Sequence, residues 1–137
     1  MDYSIEQHFV QAFIRKSRRE RLLHELTTPG KRHAGIDRFC HQAKAMIDPD
    51  RIVMEGEDLE RRPEFERFVC EHDGLCYMLS NDFYTGEKFV PLEEAVGLAV
   101  MCPDTVLILG SGFAVVFGEP MKGGRGKFLL AEEKPAR

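Results

Sequence analysis

Acidic, amide and hydroxyl side chains follow three segments of the sequence that are typical of β-strands. The segments are residues 51–54, 75–79 and 105–109, and the side chains that follow them belong to Glu55, Glu57, Asp58, Asn81, Asp82 and Ser111. Ligands bind beyond the carboxyl ends of parallel strands, so we expect these side chains to meet if the three strands are parallel neighbours. Carboxylate oxygens are typical ligands of Mg²⁺ and Mn²⁺, and such an ion could polarise a phosphoester.

One hypothesis is therefore a divalent-metal-dependent phosphoester hydrolase with carboxylate ligands at the strand ends. The candidate metal ligands are Glu55, Glu57, Asp58 and Asp82. The alternative is that these residues occupy loops and helix N-caps, where Asp, Glu and Asn are common without any ion. The ligand types alone do not outweigh that alternative, so we expect no resident cofactor, with Mg²⁺ or Mn²⁺ required only by the hydrolase hypothesis.

A glycine-rich basic segment near the C-terminus is the second candidate site. Its ligand-binding residues would be Lys122, Gly123, Gly124, Arg125 and Lys127, together with Ser111. Glycine amides and basic side chains can bind a small anion. The segment lacks the spacing of a phosphate-binding loop and precedes a strand-like run instead of a helix, which excludes a P-loop NTPase. The alternative is a flexible hairpin connection with solvated cations.

Four cysteines, at positions 40, 70, 76 and 102, raise the question of metals and disulfides. Cys70, His72 and Cys76 have a spacing that could hold zinc, but a structural zinc site needs four ligands. The apolar neighbours of the cysteines favour buried thiols without a metal. The sequence begins without a basic and apolar leader, so we expect reduced cysteines and a cytoplasmic protein.

The composition indicates one globular domain with an uneven charge distribution. The chain has 137 residues, 43% of them apolar, and a formal net charge of −4. That apolar share excludes a disordered chain. Residues 1–40 carry eight basic and five acidic side chains, whereas residues 41–137 carry eleven and eighteen. The overall acidity argues against a nucleic-acid binder, and we expect the basic run 15–21 to be a solvated helix face that pairs with the acidic body.

The order of apolar patterns predicts an α/β or α+β fold in a single domain spanning residues 1–137. Apolar residues at helical spacing predict helices in residues 1–48. Residues 49–131 have the pattern β-α-β-α-β-β-β, and residues 132–137 are expected to be a frayed tail. We therefore expect a mixed sheet of roughly five strands with a parallel β-α-β-α-β core, a C-terminal antiparallel hairpin and N-terminal helices packed on it.

Apolar segments suggest how this protein would meet a partner. Residues 105–117 contain two apolar runs around a glycine turn, which indicates a hairpin whose two faces need cover. We expect a homodimer built on this hairpin or on the helix face of Phe9 and Phe13. Proline and glycine interrupt the apolar stretch 95–118, so no membrane-spanning segment is expected.

No motif in the sequence is specific enough to establish an enzyme. The favoured hypothesis is therefore a small, non-catalytic binding or regulatory protein that acts through protein surfaces. The metal-dependent hydrolase is the first alternative. A binder of small anions through residues 122–127 is the second.

Overall fold

The computed structural model describes residues 2–81, 87–118 and 126–133, which form helices packed on both faces of one sheet. The α-helices are Tyr3–Phe13 (α1), Lys16–Thr27 (α2), Arg32–His41 (α3), Ala43–Met46 (α4), Pro63–Glu71 (α5) and Leu92–Met101 (α6). The strands are Ile52–Glu55 (β1), Leu75–Ser80 (β2), Lys88–Pro91 (β3), Thr105–Leu109 (β4), Phe113–Phe117 (β5) and Lys127–Ala131 (β6). Short 3-10 turns at Pro49–Arg51 and Leu59–Arg61 flank β1. No helix in the described ranges combines the length and the apolar character needed to cross a membrane.

The six strands form one sheet in the order β1-β6-β5-β4-β2-β3, and every neighbouring pair is antiparallel. The combination of helices with a sheet is confirmed, and so are the N-terminal helices. The expected parallel β-α-β-α-β core and the count of five strands are wrong. The sequence interpretation missed β3, which pairs with β2 before α6 begins. One additional strand reverses the direction in which the chain enters β4, so β4 pairs antiparallel with β2.

Alternating side chains of the sheet lie in two separate apolar cores. Tyr77 and Leu79 of β2 belong to the core beneath α1–α4, whereas Cys76 and Met78 belong to the core beneath α5 and α6. Strands β4 and β5 are in the middle of the sheet, and all five residues of β4 are buried. The continuous apolar sequence of β4 is typical of a central strand covered on both faces.

Both surfaces expected to form a homodimer lie inside the monomer. Phe9 and Phe13 are 0% and 1% exposed because they face the core beneath α1–α4. The hairpin within residues 105–117 forms the middle of the sheet, where helices cover both faces. This chain's own packing thus covers the apolar faces that suggested a dimer. The oligomeric state stays a prediction.

A buried ion pair joins the N-terminal helices to the sheet. The guanidinium of Arg32 donates from Nη1 and Nη2 to the two carboxylate oxygens of Glu6, each at 2.5 Å. Nη1 also donates to the backbone oxygen of Leu26 at 3.0 Å. The Tyr77 hydroxyl donates to the Glu6 carboxylate at 2.5 Å. Glu6 is 1% exposed and Arg32 is 8% exposed, so the charge of Glu6 depends on Arg32 for compensation, while Arg32 Nε also donates to Glu87 at 2.9 Å.

These contacts keep both donors protonated. Burial raises the pKa of the Tyr77 hydroxyl, and its hydrogen bond to Glu6 raises it further. Burial opposes the charge of Arg32, but the hydrogen bond and the negative charge of Glu6 outweigh that effect. The pKa of Arg32 therefore lies above its ordinary value. Both side chains thus remain hydrogen-bond donors to Glu6 throughout the neutral pH range.

Glu6→Ala should lower the free energy of unfolding by about 3 kcal/mol, because it leaves the buried Arg32 with only Glu87 as a charged partner and the Tyr77 hydroxyl without its acceptor. Asp58→Ala is the control: it removes an exposed partner of Arg62 and should lower the free energy of unfolding much less. Urea unfolding followed by circular dichroism measures both changes. A cost for Glu6→Ala no larger than that of the control would contradict the role assigned to the buried pair.

Candidate functional site

The described candidate metal ligands at the end of β1 each have a partner within the chain. Glu55 accepts from Lys44 Nζ at 2.8 and 3.0 Å, and Asp58 accepts from Arg62 Nε at 3.0 Å. The carboxylate of Glu57 accepts from the backbone nitrogen of Gly126 at 3.0 Å. The hydrogen bond from Arg62 is the main reason that the pKa of Asp58 is lowered. These three carboxylates therefore hold neighbouring segments together.

The antiparallel sheet does not bring the expected strand ends to one place. β1 and β2 are separated by three strands, so their carboxyl ends lie about 19 Å apart at 4.8 Å per strand spacing. Ser111 follows β4, whose direction is opposite, and lies at the other end of the sheet. The side-chain nitrogen of Asn81 donates to the backbone oxygen of His33 at 2.8 Å. Asp82 lies outside the described residues, so the four-ligand metal site stays a prediction.

The candidate anion-binding loop lies largely outside the described residues, which exclude Lys122, Gly123, Gly124 and Arg125. Its one described basic residue, Lys127, begins β6 and pairs in register with Phe117. Lys127 Nζ donates to the backbone oxygen of Glu57 and to both carboxylate oxygens of Glu60, each at 3.0 Å. Lys127 thus holds the segment after β1 against the start of β6. Ser111 lies at the opposite end of the sheet from Lys127, so the two residues do not form one site.

The cysteine and histidine residues considered for zinc lie in different environments. Cys70 is exposed on α5, whereas Cys76 is buried in β2, and all four cysteines are free thiols. His72 Nδ1 donates to the backbone oxygen of Phe68 at 2.9 Å, and its ring stacks on the Phe68 ring. These three residues do not come within ligand distance of one another as a set. Burial raises the pKa of the Cys76 thiol to about 11.

A groove between α5 and α6 is the strongest candidate site. Its volume is about 560 Å³, and its lining combines four acidic residues with an apolar floor. The lining residues are Glu60, Phe65, Glu66, Val69, Cys70, Asp73, Glu93 and Val96. We call this feature the acidic groove. It lies on the face of the sheet opposite α1–α4.

The local sequence explains why these side chains share one surface. Pro63 is the first residue of α5, where a missing backbone donor costs nothing. Along α5, Phe65 and Val69 are four residues apart and therefore lie on one side of the helix axis, and Asp73 follows two residues after the helix ends. Glu93 and Val96 of α6 are three residues apart and share a face in the same way. Two helices separated in the sequence by a strand pair thus form the two walls.

The charges of the acidic groove are only partly compensated. Glu60 is held by Lys127, as described above. The carboxylates of Glu66, Asp73 and Glu93 form no hydrogen bond or ion pair with any described residue. All three are exposed, whereas Phe65 is buried and Val69 and Val96 are half-buried. The result is an apolar floor bordered by three carboxylates that have no partner within the described chain.

None of the candidate sites predicted from the sequence included Glu66, Asp73 or Glu93. The missed signal is the repeat of acidic residues at positions 66 and 73, beside apolar residues at 65 and 69. Glu66 borders the apolar stripe of α5, and Asp73 lies just beyond the end of the same helix. The contribution of α6 had no comparable signal, because its approach to α5 depends on the sheet topology.

A second cavity of about 630 Å³ lies on the other face of the sheet, where α1 meets β2, β3 and the turn after β4. Its lining is mainly apolar and includes Leu75 and Phe89, both of which are exposed. The ionisable groups at its rim, His8 and Glu132, contact each other. This cavity therefore offers apolar surface without an unpaired charged group at its rim. It defines the chemistry of a ligand less closely than the acidic groove does.

Comparisons with family models, with curated proteins and with solved structures found no match to this chain. The functional argument therefore depends on the chemistry of the acidic groove itself.

The raised pKa of Cys76 predicts a loss of stability at high pH. The folded state favours the thiol, so its contribution is complete below the ordinary pKa of 9.0 and disappears as the pH rises through about 11. Between about pH 8 and about pH 10.5 the titration of Cys76 should therefore lower the free energy of unfolding by roughly 2 kcal/mol. Cys76→Ala should remove that part of the pH dependence, and Cys70→Ser, at an exposed thiol, should retain it. Urea unfolding at the two pH values measures the difference; equal losses in Cys76→Ala and the unmodified protein would contradict it.

Proposed function

We propose that this protein is a non-catalytic binding protein whose acidic groove docks a basic amphipathic segment of a partner protein. The observation that carries the proposal is the apolar floor bordered by three uncompensated carboxylates, Glu66, Asp73 and Glu93. Exposed carboxylates around apolar surface favour a partner that brings both positive charge and apolar anchors.

The charge pattern selects the chemistry of the partner. Lys and Arg side chains carry a long apolar stem with a charged end, so they can cover the floor while reaching the carboxylates. A Leu or Met between them would fill the space above Phe65 and Val96. A small inorganic cation would meet no set of three carboxylates within ligand distance here, because no such set occurs among these described residues. A peptide therefore fits the groove better than an ion does.

The dimensions of the walls favour a helical partner. α5 has nine residues and α6 has ten, so each wall is about 14 Å long at 1.5 Å per residue. A partner helix of roughly three turns spans that length. Val100 continues the apolar edge one turn beyond Val96 and is 43% exposed. Anchors spaced three or four residues apart on the partner would meet this edge, which is the usual mode for a helix bound in a groove.

A second copy of this chain is a poorer occupant than a different protein. Its exposed basic surface is α2, which contains the run of residues 15–21 expected to be a solvated helix face. The leucines of that helix at positions 22 and 26 are buried in its own core. α2 would therefore bring charge without apolar anchors. We place the interaction in the cytoplasm, because all four cysteines are free thiols, as is usual in a reducing compartment.

The first prediction from this proposal concerns a designed probe. The probe is a labelled peptide of about 14 residues made of Leu, Lys and Ala, with Leu every three or four positions. We expect it to bind in fluorescence anisotropy and to weaken as salt rises, because the attraction includes exposed charges. A peptide of the same composition with its leucines distributed around the helix should bind at least about tenfold more weakly, because it loses the apolar stripe.

Matched charge reversals test where the probe binds. Glu66→Lys combined with Glu93→Lys should weaken binding at least about tenfold, because it reverses two groove carboxylates. Glu64→Lys combined with Glu94→Lys changes the net charge equally on the same two helices but lies outside the groove lining. This control should change the affinity by less than about threefold. Equal weakening by the two pairs would contradict docking in the groove, since only the overall charge would then matter.

A further inference from the structure

Three potential metal ligands come together at the end of α3. They are Asp37, His41 and Asp104, and their ligand atoms all lie within 4.8 Å of one another. This is the only set of three or more His, Cys, Asp or Glu side chains with that proximity in residues 2–81, 87–118 and 126–133. It is separate from the acidic groove, because α3 packs on the opposite face of the sheet.

Helix geometry positions the first two ligands. Asp37 and His41 are four residues apart on α3, so their side chains lie on the same face. His41 Nδ1 lies 2.8 Å from the backbone oxygen of Asp37 and 3.7 Å from its Oδ1. A carbonyl oxygen only accepts, so Nδ1 carries the proton and the lone pair lies on Nε2. Metal-binding histidines commonly use their second ring nitrogen for such a hydrogen bond.

The backbone before β4 positions the third ligand. Asp104 has a φ of 65°, in the left-handed region that few residues other than glycine adopt. Its backbone nitrogen donates to the oxygen of Phe117 at 2.7 Å, which fixes the residue against the end of β5. The Asp104 carboxylate is therefore held by the sheet, whereas Asp37 and His41 are held by α3.

A close contact fixes the helix against the strands. A Cβ atom on Gly118 would lie 2.7 Å from the backbone oxygen of Cys40, so only glycine permits this approach of α3 to the end of β5. The contact is adjacent in sequence to His41. It also places the C-terminal end of α3, with its partial negative charge, beside the three side chains. The partial negative charge at this end of α3 favours a cation at this position.

We propose that Asp37, His41 and Asp104 form a binding site for a divalent transition metal, and that this site binds Zn²⁺ more tightly than Co²⁺ or Mg²⁺. Two carboxylates and one imidazole match the ligands that zinc accepts, and they supply two negative charges to one divalent ion. Ligand atoms around a zinc ion lie about 3.4 Å apart, so the side chains must close by roughly 1 Å. Asp37 and His41 are about half exposed and have room for that change. Their exposure leaves water as the remaining ligand.

Titration with Co²⁺ tests the site directly. The background is the full chain with Cys70→Ser and Cys102→Ser, so that thiols outside the core do not bind the ion. Visible absorption should rise to saturation at one Co²⁺ per chain, and Zn²⁺ should displace the Co²⁺. Mg²⁺ should not displace it, because Mg²⁺ prefers oxygen ligands only. Absence of saturable absorption, or displacement by Mg²⁺ as readily as by Zn²⁺, would overturn the proposal.

Single variants assign the ligands. His41→Ala and Asp104→Asn should each weaken Co²⁺ binding at least about tenfold, and Asn keeps the left-handed backbone that residue 104 requires. His24→Ala, at an exposed histidine of α2, is the control and should bind as the background does. Circular dichroism establishes that each variant is folded. Unchanged affinity in both His41→Ala and Asp104→Asn would overturn the assignment even if one ion binds per chain.

Discussion

The Arg32 guanidinium has to be compensated inside the protein, and the arrangement of the N-terminal helices follows from that requirement. One side chain joins α1 through Glu6, the last turn of α2 through the backbone oxygen of Leu26, and β2 through the Tyr77 hydroxyl that shares the Glu6 carboxylate. A second ion pair, between Glu25 and Arg38, joins α2 to α3. Buried charges that depend on one another in this way permit few alternative placements of the helices.

The face of the sheet that carries α5 and α6 is organised differently, because apolar contacts and not buried charges hold its helices. α5 and α6 pack on the sheet through an apolar core that includes Phe65, Leu92 and Ala95. Their acidic residues on the outer side are not needed to hold the helices in place, apart from Glu60, which binds Lys127. The chain thus uses its buried charges to fix α1–α3 and leaves the carboxylates of the acidic groove available for a partner.

Periodicity in the sequence predicted most of the elements but not their directions. The apolar spacing in α1, α3, α5 and α6 indicated helices, and the continuous apolar run in β4 indicated a central strand, because these patterns depend on local geometry. β3 was missed because it is only four residues long and ends at Pro91, immediately before α6. Omitting that one strand reversed the assumed direction of β4 and led to the wrong parallel core.

The same limit applies to the candidate sites. The sequence showed that acidic residues follow β1, but the cations that hold Glu55 and Asp58, Lys44 and Arg62, are brought to them by the fold. Likewise, Asp104 lies more than sixty residues beyond His41 in the sequence, and no spacing rule would have joined them. Side chains from separate helices and strands come together only through the topology of the fold, and the apolar periodicity of the sequence does not determine that topology.

The most direct measurement of the central claim is a map of the bound peptide by nuclear magnetic resonance. The amide signals of the ¹⁵N-labelled protein would be followed while the amphipathic Leu-Lys peptide is added to saturation. We predict that the largest shifts occur in α5 and α6, at Phe65, Val69 and Val96 and their neighbours, while the amides of α1–α4 change little. Saturable binding with its largest shifts outside α5 and α6, or shifts spread evenly over the acidic surface, would contradict the account.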